Sequence, residues 1–342
     1  MLLLARADGE DVPQGRIAVL LNPDRGPGQF DGFLGAFECV DDAGAATALI
    51  DAACAWLRDR GARTVVGPMN PNMHHECGLL VDNHDDPPLI GMPYTAPYYP
   101  ALFEAAGLRP VKDLLSLRAN THSVLERYTR LTDRHLKRHG IVMRDPDRHR
   151  FEDEITLVCD LYTRAWRDNW GFAAMSQGEA AHMARQLKLL APRGVRIAER
   201  RGKPVGFVIL LPDFNQALAP TRGRLTRYGL PLGAWRIWRA SRRITRGRAM
   251  ALGATTDAGL GLGPVLVADL VRQANERGWS EVDLSWVLED NTAALRPMTL
   301  GGAVVYKRHR LYARCLDHRG PCPCTDLSAP RRSPTDRSDP NA

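Results

Sequence analysis

The fold is decided by two neighbouring stretches, Ala249-Met250-Ala251-Leu252-Gly253 and Gly259-Leu260-Gly261-Leu262-Gly263-Pro264. The first is short and apolar, as in a buried strand, and the second opens an apolar helical pattern that runs to Ala274. Pro264 suits the first turn of a helix, and glycine lets a ligand approach the backbone closely. Because the N–H groups at a helix N-terminus bind anions, this turn predicts a phosphate-binding site, with a flexible strand-to-helix turn as the alternative.

Strands and helices alternate on both sides of this turn. In the second half, short apolar runs predict strands, and apolar residues at helical spacing predict helices. The predicted strands span 140–144, 195–199, 205–211, 249–253, 281–287 and 304–312, and the predicted helices span 151–170, 179–190, 264–274 and 291–300. Such an order is typical of helices packed on a mixed sheet.

The first half repeats the later part of that order. Its predicted strands span 2–6, 17–21, 33–39, 64–67 and 114–118, and its predicted helices span 41–60 and 99–106. The opening strand and two helices of the second half have no counterpart, so the pattern predicts a tandem repeat whose first copy is truncated. We therefore expect an α/β (α+β) fold of two mixed sheets flanked by helices.

Composition divides the chain into four parts. Residues 1–120 and 136–315 hold the two repeats, and the polar helical pattern of 121–135 predicts a linker helix between them. Residues 316–342 are rich in Pro, Arg, Asp and Ser and poor in large apolar residues. This composition predicts a disordered tail.

The element order resembles that of the GNAT (Gcn5-related) N-acyltransferases, and motifs in both halves resemble a bacterial group of tandem GNAT-like proteins. The motifs are Phe37-Glu38-Cys39-Val40-Asp41-Asp42, Gly67-Pro68-Met69-Asn70, Glu76-Cys77-Gly78-Leu79-Leu80-Val81, Pro93-Tyr94, Pro97-Tyr98-Tyr99-Pro100, Lys112-Asp113-Leu114, Leu284-Ser285-Trp286-Val287-Leu288-Glu289-Asp290-Asn291 and Tyr306-Lys307. The resemblance covers residues 15–313. It implies an acyl-CoA-dependent N-acyltransferase, with acetyl-CoA or a longer acyl-CoA as co-substrate and no metal.

The resemblance also implies where the donor binds, on the edge of a splayed strand and at the turn after it. The implied donor contacts are Gly253, Ala254, Gly259, Gly261 and Gly263. The pyrophosphate would lie at the last three, and the acyl carbonyl near the N–H of Gly253 or Ala254. The GNAT motif has Gln or Arg where this chain has Ala258, which is a departure from the family pattern.

Acyl transfer to an amine needs a base for the ammonium and an acid for the leaving thiolate. Glu289 and Asp290 follow a predicted strand at the cleft, and we expect them to act as the base or to position the amine. Helix capping by Asp290 or Asn291 is the alternative. Met298 stands where many GNAT enzymes have a tyrosine that acts as the general acid, so Tyr306 is the candidate acid. The alternative is that Tyr306 only packs at the edge of the core.

The acceptor is expected between the two halves. The most polar cluster of the first half is Asn70, His74, His75 and Glu76. The candidate acceptor-binding residues are Asn70, His75, Glu76 and Asn291. His75 or Glu76 is also a candidate base. The run His74-His75-Glu76-Cys77 contains metal-ligand types, but neighbouring residues do not converge easily on one ion. We therefore expect no metal. Asp41-Asp42 would repel a pyrophosphate, so we expect no CoA site in the first half.

The net charge of +7 comes from one stretch of the chain. Residues 221–250 hold nine Arg and no acidic residue, which leaves 37 basic against 39 acidic residues elsewhere. Within 221–248, Arg236, Arg239, Arg243 and Arg246 form a helical stripe beside Trp and Ile, as in a helix on an anionic membrane surface. The alternatives are a solvated helix packed on its own domain, contact with the donor phosphates, and nucleic-acid binding, which we expect least.

Composition also bears on location and on the class of function. No apolar run reaches the length of a membrane span, and the odd count of seven cysteines indicates a reducing compartment. We expect a cytoplasmic protein, peripheral at most to the inner membrane face. The expected function is N-acyl transfer to a small-molecule or lipid amine. The alternatives are a GNAT-like binding protein without catalysis and a Fem-like transferase that uses aminoacyl-tRNA.

Overall fold

The structure is a computed structural model that describes residues 1–317 apart from short gaps. The gaps are residues 10, 23–28, 123–131, 133, 135, 137, 168, 173–174, 223, 227–231 and 256–260. Three predictions therefore lie wholly or mostly outside the described residues, namely the linker helix at 121–135, the tail at 316–342 and the role of Gly259.

The first half contains eight strands and two helices among the described residues. The strands are β1 Leu2–Arg6, β2 Pro13–Leu21, β3 Gly32–Cys39, β4 Thr64–Gly67, β5 Met69–Asn70, β6 Glu76–Cys77, β7 Leu79–Leu80 and β8 Arg109–Asn120. The helices are α1 Ala43–Arg58 and α2 Tyr99–Ala105. The carboxylate of Asp42 accepts a hydrogen bond from the N–H of Ala45 at 2.9 Å, which caps α1 and sets its first residue.

The second half contains six strands and six helices among the described residues. The strands are β9 Ile141–Arg144, β10 Val195–Arg200, β11 Lys203–Pro212, β12 Arg246–Ala254, β13 Glu281–Leu288 and β14 Val304–Cys315. The helices are α3 Phe151–Trp166, α4 Gln177–Leu190, α5 Asn215–Leu218, α6 Leu232–Ser241, α7 Leu262–Glu276 and α8 Thr292–Leu300. The basic helix is shorter than predicted, because Arg246 lies in β12 and donates to Asp213 at 3.0 Å.

Twelve of the described strands form one continuous sheet. Its order is β1-β2-β3-β4-β14-β8-β13-β12-β11-β10-β9, and β7 pairs with β14. The pairs β3/β4 and β12/β13 are parallel, and the other pairs of this sheet are antiparallel. The predicted fold class is confirmed, with the difference that the two predicted sheets are joined into one.

The two halves are joined because they exchange their last strands. β8 ends the first half and pairs with β13 of the second, whereas β14 ends the second half and pairs with β4 of the first. β8 and β14 also pair with each other, from Val304 opposite Arg118 to Ala313 opposite Arg109. The order β3-α1-β4-α2-β8 matches β12-α7-β13-α8-β14, as the predicted tandem repeat requires.

Helices cover both faces of the second half of the sheet. Val208 and Leu210 of β11 are buried in the same core as α7, whereas Phe207 and Ile209 are buried in the core that contains α3 and α4. This division follows from the alternation of side chains along a strand. The site described below therefore lies in a sheet that is held on both sides.

β12 and β13 separate along their length, and this separation positions the site. They pair only where Arg246–Arg248 lies beside Glu281–Asp283. Beyond that point β12 stays with β11, and β13 stays with β8 through a register shift at Ser285 and Trp286. An irregularity of this kind redirects side chains next to a site.

Two further findings bear on location. Within the described ranges, no helix combines the length and hydropathy needed to cross a membrane. Cys39, Cys54, Cys77 and Cys159 are free and buried, whereas Cys315 is disulfide-bonded. An odd count of cysteines still allows one pair to form, and the expected reducing compartment stays a prediction.

Candidate active site

A cavity of about 90 Å³ lies where β12 and β13 separate. β12 lines it with residues 249–252, β13 with residues 284–288, and α8 with Ala294 and Met298. The opposite wall comes from α3 and the segment after it, including Trp170. The lining is mostly apolar, so the cavity suits an aliphatic group better than a charged one.

A second cavity, of about 430 Å³, adjoins the first. Six residues line both cavities, namely Met73, Tyr162, Trp166, Met250, Ala251 and Trp286. Aliphatic and aromatic side chains of α3, α4 and β11 form most of the larger wall. The two cavities together therefore make a long, largely apolar site between the halves of the chain.

Two tryptophans stand where the cavities meet. The rings of Trp166 and Trp286 are 6.4 Å apart, and Tyr162 lies 4.7 Å from the ring of Trp166. The indole N–H of Trp166 donates to the carbonyl oxygen of Leu252 at 3.2 Å. This bond ties α3 to β12 and fixes the width of the opening between the cavities.

The structure places three of the four predicted acceptor-binding residues on the larger cavity. Asn70, His75 and Glu76 line it from the β5–β6 hairpin and its turn. The side-chain oxygen of Asn70 accepts from the N–H of Ala36 at 2.6 Å, and Nε2 of His75 lies 3.9 Å from the carboxylate of Glu179. The hairpin thus brings a polar rim to an apolar site, and the acceptor-binding role itself stays a prediction.

His74 lies beside that rim against an aromatic wall. Its Nδ1 is 2.8 Å from the hydroxyl of Tyr162, and its ring packs edge-on against Tyr162 and Phe172. Burial raises the pKa of the Tyr162 hydroxyl well above its usual value. The hydroxyl therefore stays protonated near neutral pH and can donate a hydrogen bond inside the site.

Glu289, Asp290 and Asn291 lie at the end of β13, each with a partner. Glu289 accepts from the N–H of Asp113 at 3.0 Å, and Asp290 pairs with the buried Lys112 at 3.0 Å. Asn291 caps α8 by accepting from the N–H of Ala294, and it also lines the smaller cavity. Neither carboxylate lines the two cavities, so the structure brings Asn291 to the site but engages Glu289 and Asp290 elsewhere.

Tyr306 lies on β14 and points to a buried carboxylate. Its hydroxyl donates to Asp283 at 2.5 Å, and the guanidinium of Arg118 lies 4.1 Å above its ring. Burial and the neighbouring Asp283 raise the pKa of Tyr306. Because it lines neither cavity and already donates its proton to Asp283, it is poorly placed to protonate a leaving thiolate.

Arg248 joins that carboxylate to the larger cavity. Its Nε donates to the hydroxyl of Ser285 at 3.0 Å, and one Nη donates to the carbonyl of Ile90 at 2.8 Å. Burial lowers the pKa of Arg248 and raises the pKa of Asp283. Because the two groups carry opposite charges, each offsets part of the other's shift. In the sequence Arg248 belongs to the basic stretch, and nothing there marks it as a wall residue of a cavity.

The N-terminus of α7 fits a phosphate group. Gly261 caps it with a φ of +92°, no side chain caps it, and its first turn holds no acidic residue. A methyl group at Gly263 would meet no atom within 4 Å, so the approach is open. Gly253 and Ala254 end β12 and line neither cavity, so the cavity wall lies at 249–252, just before the predicted carbonyl site.

Two curated proteins are similar to this chain over most of its length. Protein YghO of Escherichia coli (strain K12) is 31% identical over 294 residues, which are 84% of this chain and 75% of that protein. Bacterial ceramide synthase of Caulobacter vibrioides (strain NA1000 / CB15N) is 31% identical over 325 residues, which are 92% of this chain and 83% of that protein. The chain belongs to the family of these two proteins. No model of a known protein family matches it.

Solved structures assign the fold of this family member. A GCN5-related N-acetyltransferase from Sphaerobacter thermophilus has a TM-score of 0.50 and 17% identity, covering 92% of this chain and 80% of that chain. A GCN5-related glucosamine N-acetyltransferase region of a fungal GH3 β-N-acetylglucosaminidase has a TM-score of 0.54 and 15% identity. The match covers 88% of this chain and 31% of that chain. The expected tandem GNAT-like fold is therefore confirmed.

Proposed function

We propose that this tandem GNAT-like protein is an acyl-CoA-dependent N-acyltransferase whose acceptor is a long-chain amine. The observation that carries the proposal is the pair of adjoining apolar cavities at the separation of β12 and β13. An apolar lining excludes water from aliphatic chains, and burying such chains there is energetically favourable. The name of one relative, a ceramide synthase, supports the same chemistry, since a ceramide is an amide of a fatty acid and a long-chain amino alcohol.

In the proposed reaction the amine nitrogen attacks the thioester carbonyl carbon. A C–N bond forms, the C–S bond breaks, the ammonium proton goes to a base, and the CoA thiolate takes a proton from water. We assign His75 as the base and Glu76 as a residue that binds the amine, because both line the larger cavity. Histidine is the side chain that most often moves protons near neutral pH.

The donor phosphates are proposed to bind at the start of α7. The open first-turn N–H groups near Gly261 and Gly263 carry the positive end of the helix dipole. The smaller cavity then receives the thioester end of the donor, and the larger one receives aliphatic chain. Trp166 and Trp286 would hold the reacting groups at the junction of the cavities.

The test is amide formation by the purified full-length chain, detected by mass spectrometry. Acyl-CoAs from acetyl to palmitoyl are paired with a sphingoid base, with short amines, and with aminoacyl-tRNA in place of acyl-CoA. We expect amide only with acyl-CoA and the long-chain amine. No amide with any pair, and no acyl-CoA binding by calorimetry up to ~1 mM, would refute the proposal.

Two sets of variants test the site. Ala251→Trp narrows the junction of the cavities and should lower kcat/KM about tenfold or more, whereas Ala181→Trp on the exposed face of α4 should not. His75→Gln should lower kcat about a hundredfold, because it removes the proposed base. If the double variant of Glu289→Gln and Asp290→Asn has that effect instead, the base lies at the end of β13.

A further inference from the structure

The helix α6 exposes two tryptophans on the surface of the described chain. Trp235 and Trp238 are each 55% exposed, and Leu232 at the start of the helix is 39% exposed. Leu225, whose carbonyl accepts from the N–H groups of Gly233 and Ala234, is 57% exposed beside them. Packing of the basic helix on its own domain is the alternative from the sequence, and more than half of each tryptophan lies outside any such packing.

The exposed residues of α6 share one face. At 3.6 residues per turn, Gly233, Ile237 and Ala240 lie on one side, and these are the buried or half-buried positions. Trp235 and Trp238 lie on the opposite side, so the indoles face away from the protein. Exposed apolar patches rimmed by polar residues mark interaction sites, and the outward face of α6 has this character.

Arginines lie on the same outward face. The guanidinium of Arg239 lies 5.7 Å from the ring of Trp235, and that of Arg242 lies 3.9 Å from the ring of Trp238. Among the described residues of the segment, the other exposed arginines are Arg222, Arg224, Arg236 and Arg243. Residues 221–248 contain no acidic residue, so nothing in the segment neutralises these charges.

We propose that this surface, formed by the outward face of α6, docks on an anionic lipid membrane. Indoles partition to the boundary of headgroups and acyl chains, and arginines beside them meet lipid phosphates. The exposed Leu232 adds aliphatic area that a nucleic-acid phosphate backbone does not need. The inference concerns where the protein binds and is independent of the proposed reaction.

The test is co-sedimentation of the full-length chain with two kinds of vesicle. One kind is phosphatidylcholine alone, and the other also contains about one third of the anionic lipid phosphatidylglycerol. We expect binding only to the anionic vesicles, with a blue shift of tryptophan fluorescence. Trp235→Ser with Trp238→Ser, and Arg239→Gln with Arg242→Gln, should each lower the bound fraction about fivefold or more. The matched control, Arg109→Gln with Arg185→Gln, removes two exposed charges elsewhere and should bind normally.

Circular dichroism and thermal melting of each variant show whether it is folded, and no substituted side chain is buried. Equal sedimentation with both kinds of vesicle overturns the proposal, as does normal vesicle binding by either double variant of α6. A single-stranded RNA added as competitor gives a further outcome. Tight RNA binding without vesicle binding would mean that the surface serves nucleic acid, and would also overturn the proposal.

Discussion

Arg248 shows how one buried charge connects the cavity to the sheet. Its guanidinium holds Ser285 of β13 and the carbonyl of Ile90, and it faces the buried carboxylate of Asp283. A buried ion is tolerated only while its partner and hydrogen bonds remain. Arg248 therefore holds together the point where β12 and β13 begin to separate.

Arg248→Met should destabilise the protein by about 3–5 kcal/mol, because it leaves the Asp283 carboxylate buried without its nearby cation. Urea unfolding at neutral pH measures the loss. Arg185→Met on the exposed surface of α4 is the control and should change stability by about 0.5 kcal/mol or less. A loss below about 1 kcal/mol for Arg248→Met would show that the pair contributes little.

His309 predicts a pH dependence of stability. Its ring is 1% exposed, and Nε2 lies 3.3 Å from the carbonyl oxygen of Pro93. Burial lowers the pKa of His309 to about 4, whereas an unfolded imidazole titrates near ~6.5. The folded pKa is the lower one, so this contribution to stability is complete above pH ~6.5 and is lost as the pH falls towards 4.

His309→Leu should flatten that dependence. Between pH ~6.5 and 4 the natural chain should lose up to about 1.4 kcal/mol per pH unit more than the variant. Urea unfolding at several pH values gives both slopes. His182→Leu, an exposed histidine on α4, should keep the natural slope, and an unchanged slope in His309→Leu would mean that His309 is protonated in the folded state.

Single residues divide into those whose place follows from local pattern and those that depend on tertiary contacts. Asn70, His75 and Glu76 were predicted near the acceptor, and the hairpin that carries them lies on the cavity. Capping of α8 by Asp290 or Asn291 was the alternative from the sequence, and Asn291 is the residue that caps it, since caps are local. Arg248 was not predicted as a wall residue, because only the pairing of β12 with β13 reveals its burial.

The glycines at the start of α7 act at the scale of the element. Gly261 lies in the left-handed region, which an L-residue enters at a cost of about 1–2 kcal/mol. Gly263 lies inside the first turn with open space around it. The two glycines therefore have different tasks, one for backbone conformation and one for access.

Gly263→Asp should separate stability from donor binding. An acid in the first turn favours the helix dipole, so stability should stay equal or rise by about 0.5 kcal/mol. The same charge should repel the phosphates and weaken acyl-CoA binding about tenfold or more, measured by calorimetry. Gly178→Asp in the first turn of α4, where a side chain also has open space, is the control and should leave the affinity unchanged. Equal affinities in both variants would place the donor elsewhere.

Elements followed from the sequence more closely than their pairing did. The predicted helices at 41–60, 151–170 and 264–274 lie within a few residues of α1, α3 and α7. β8 is longer than the predicted 114–118, because it pairs along both edges with β13 and β14. Periodicity determines which face of a strand is buried but not which strand lies beside it, so the exchange of β8 and β14 was not foreseen.

At the scale of the molecule, that exchange makes the two halves depend on each other. The first half without β14 leaves an edge of β4 and of β8 unpaired, and the second half without β8 does the same to β13. Exposed edges of apolar strands aggregate. The predicted boundaries at 120 and 136 divide the chain by sequence, whereas the sheet runs across them.

Separate expression of residues 1–122 and 136–342 should therefore give fragments that aggregate or lack cooperative unfolding. Co-expression should give a stable complex, because β8 and β14 then pair as they do in one chain. Size-exclusion chromatography and thermal melting measure both outcomes. A second pair of fragments is made by cutting the chain at 201–202, in the turn between β10 and β11. This pair is the control for the effect of breaking the chain at any point. If the fragment 1–122 alone is a monomer that unfolds cooperatively, the strand exchange is not needed for folding.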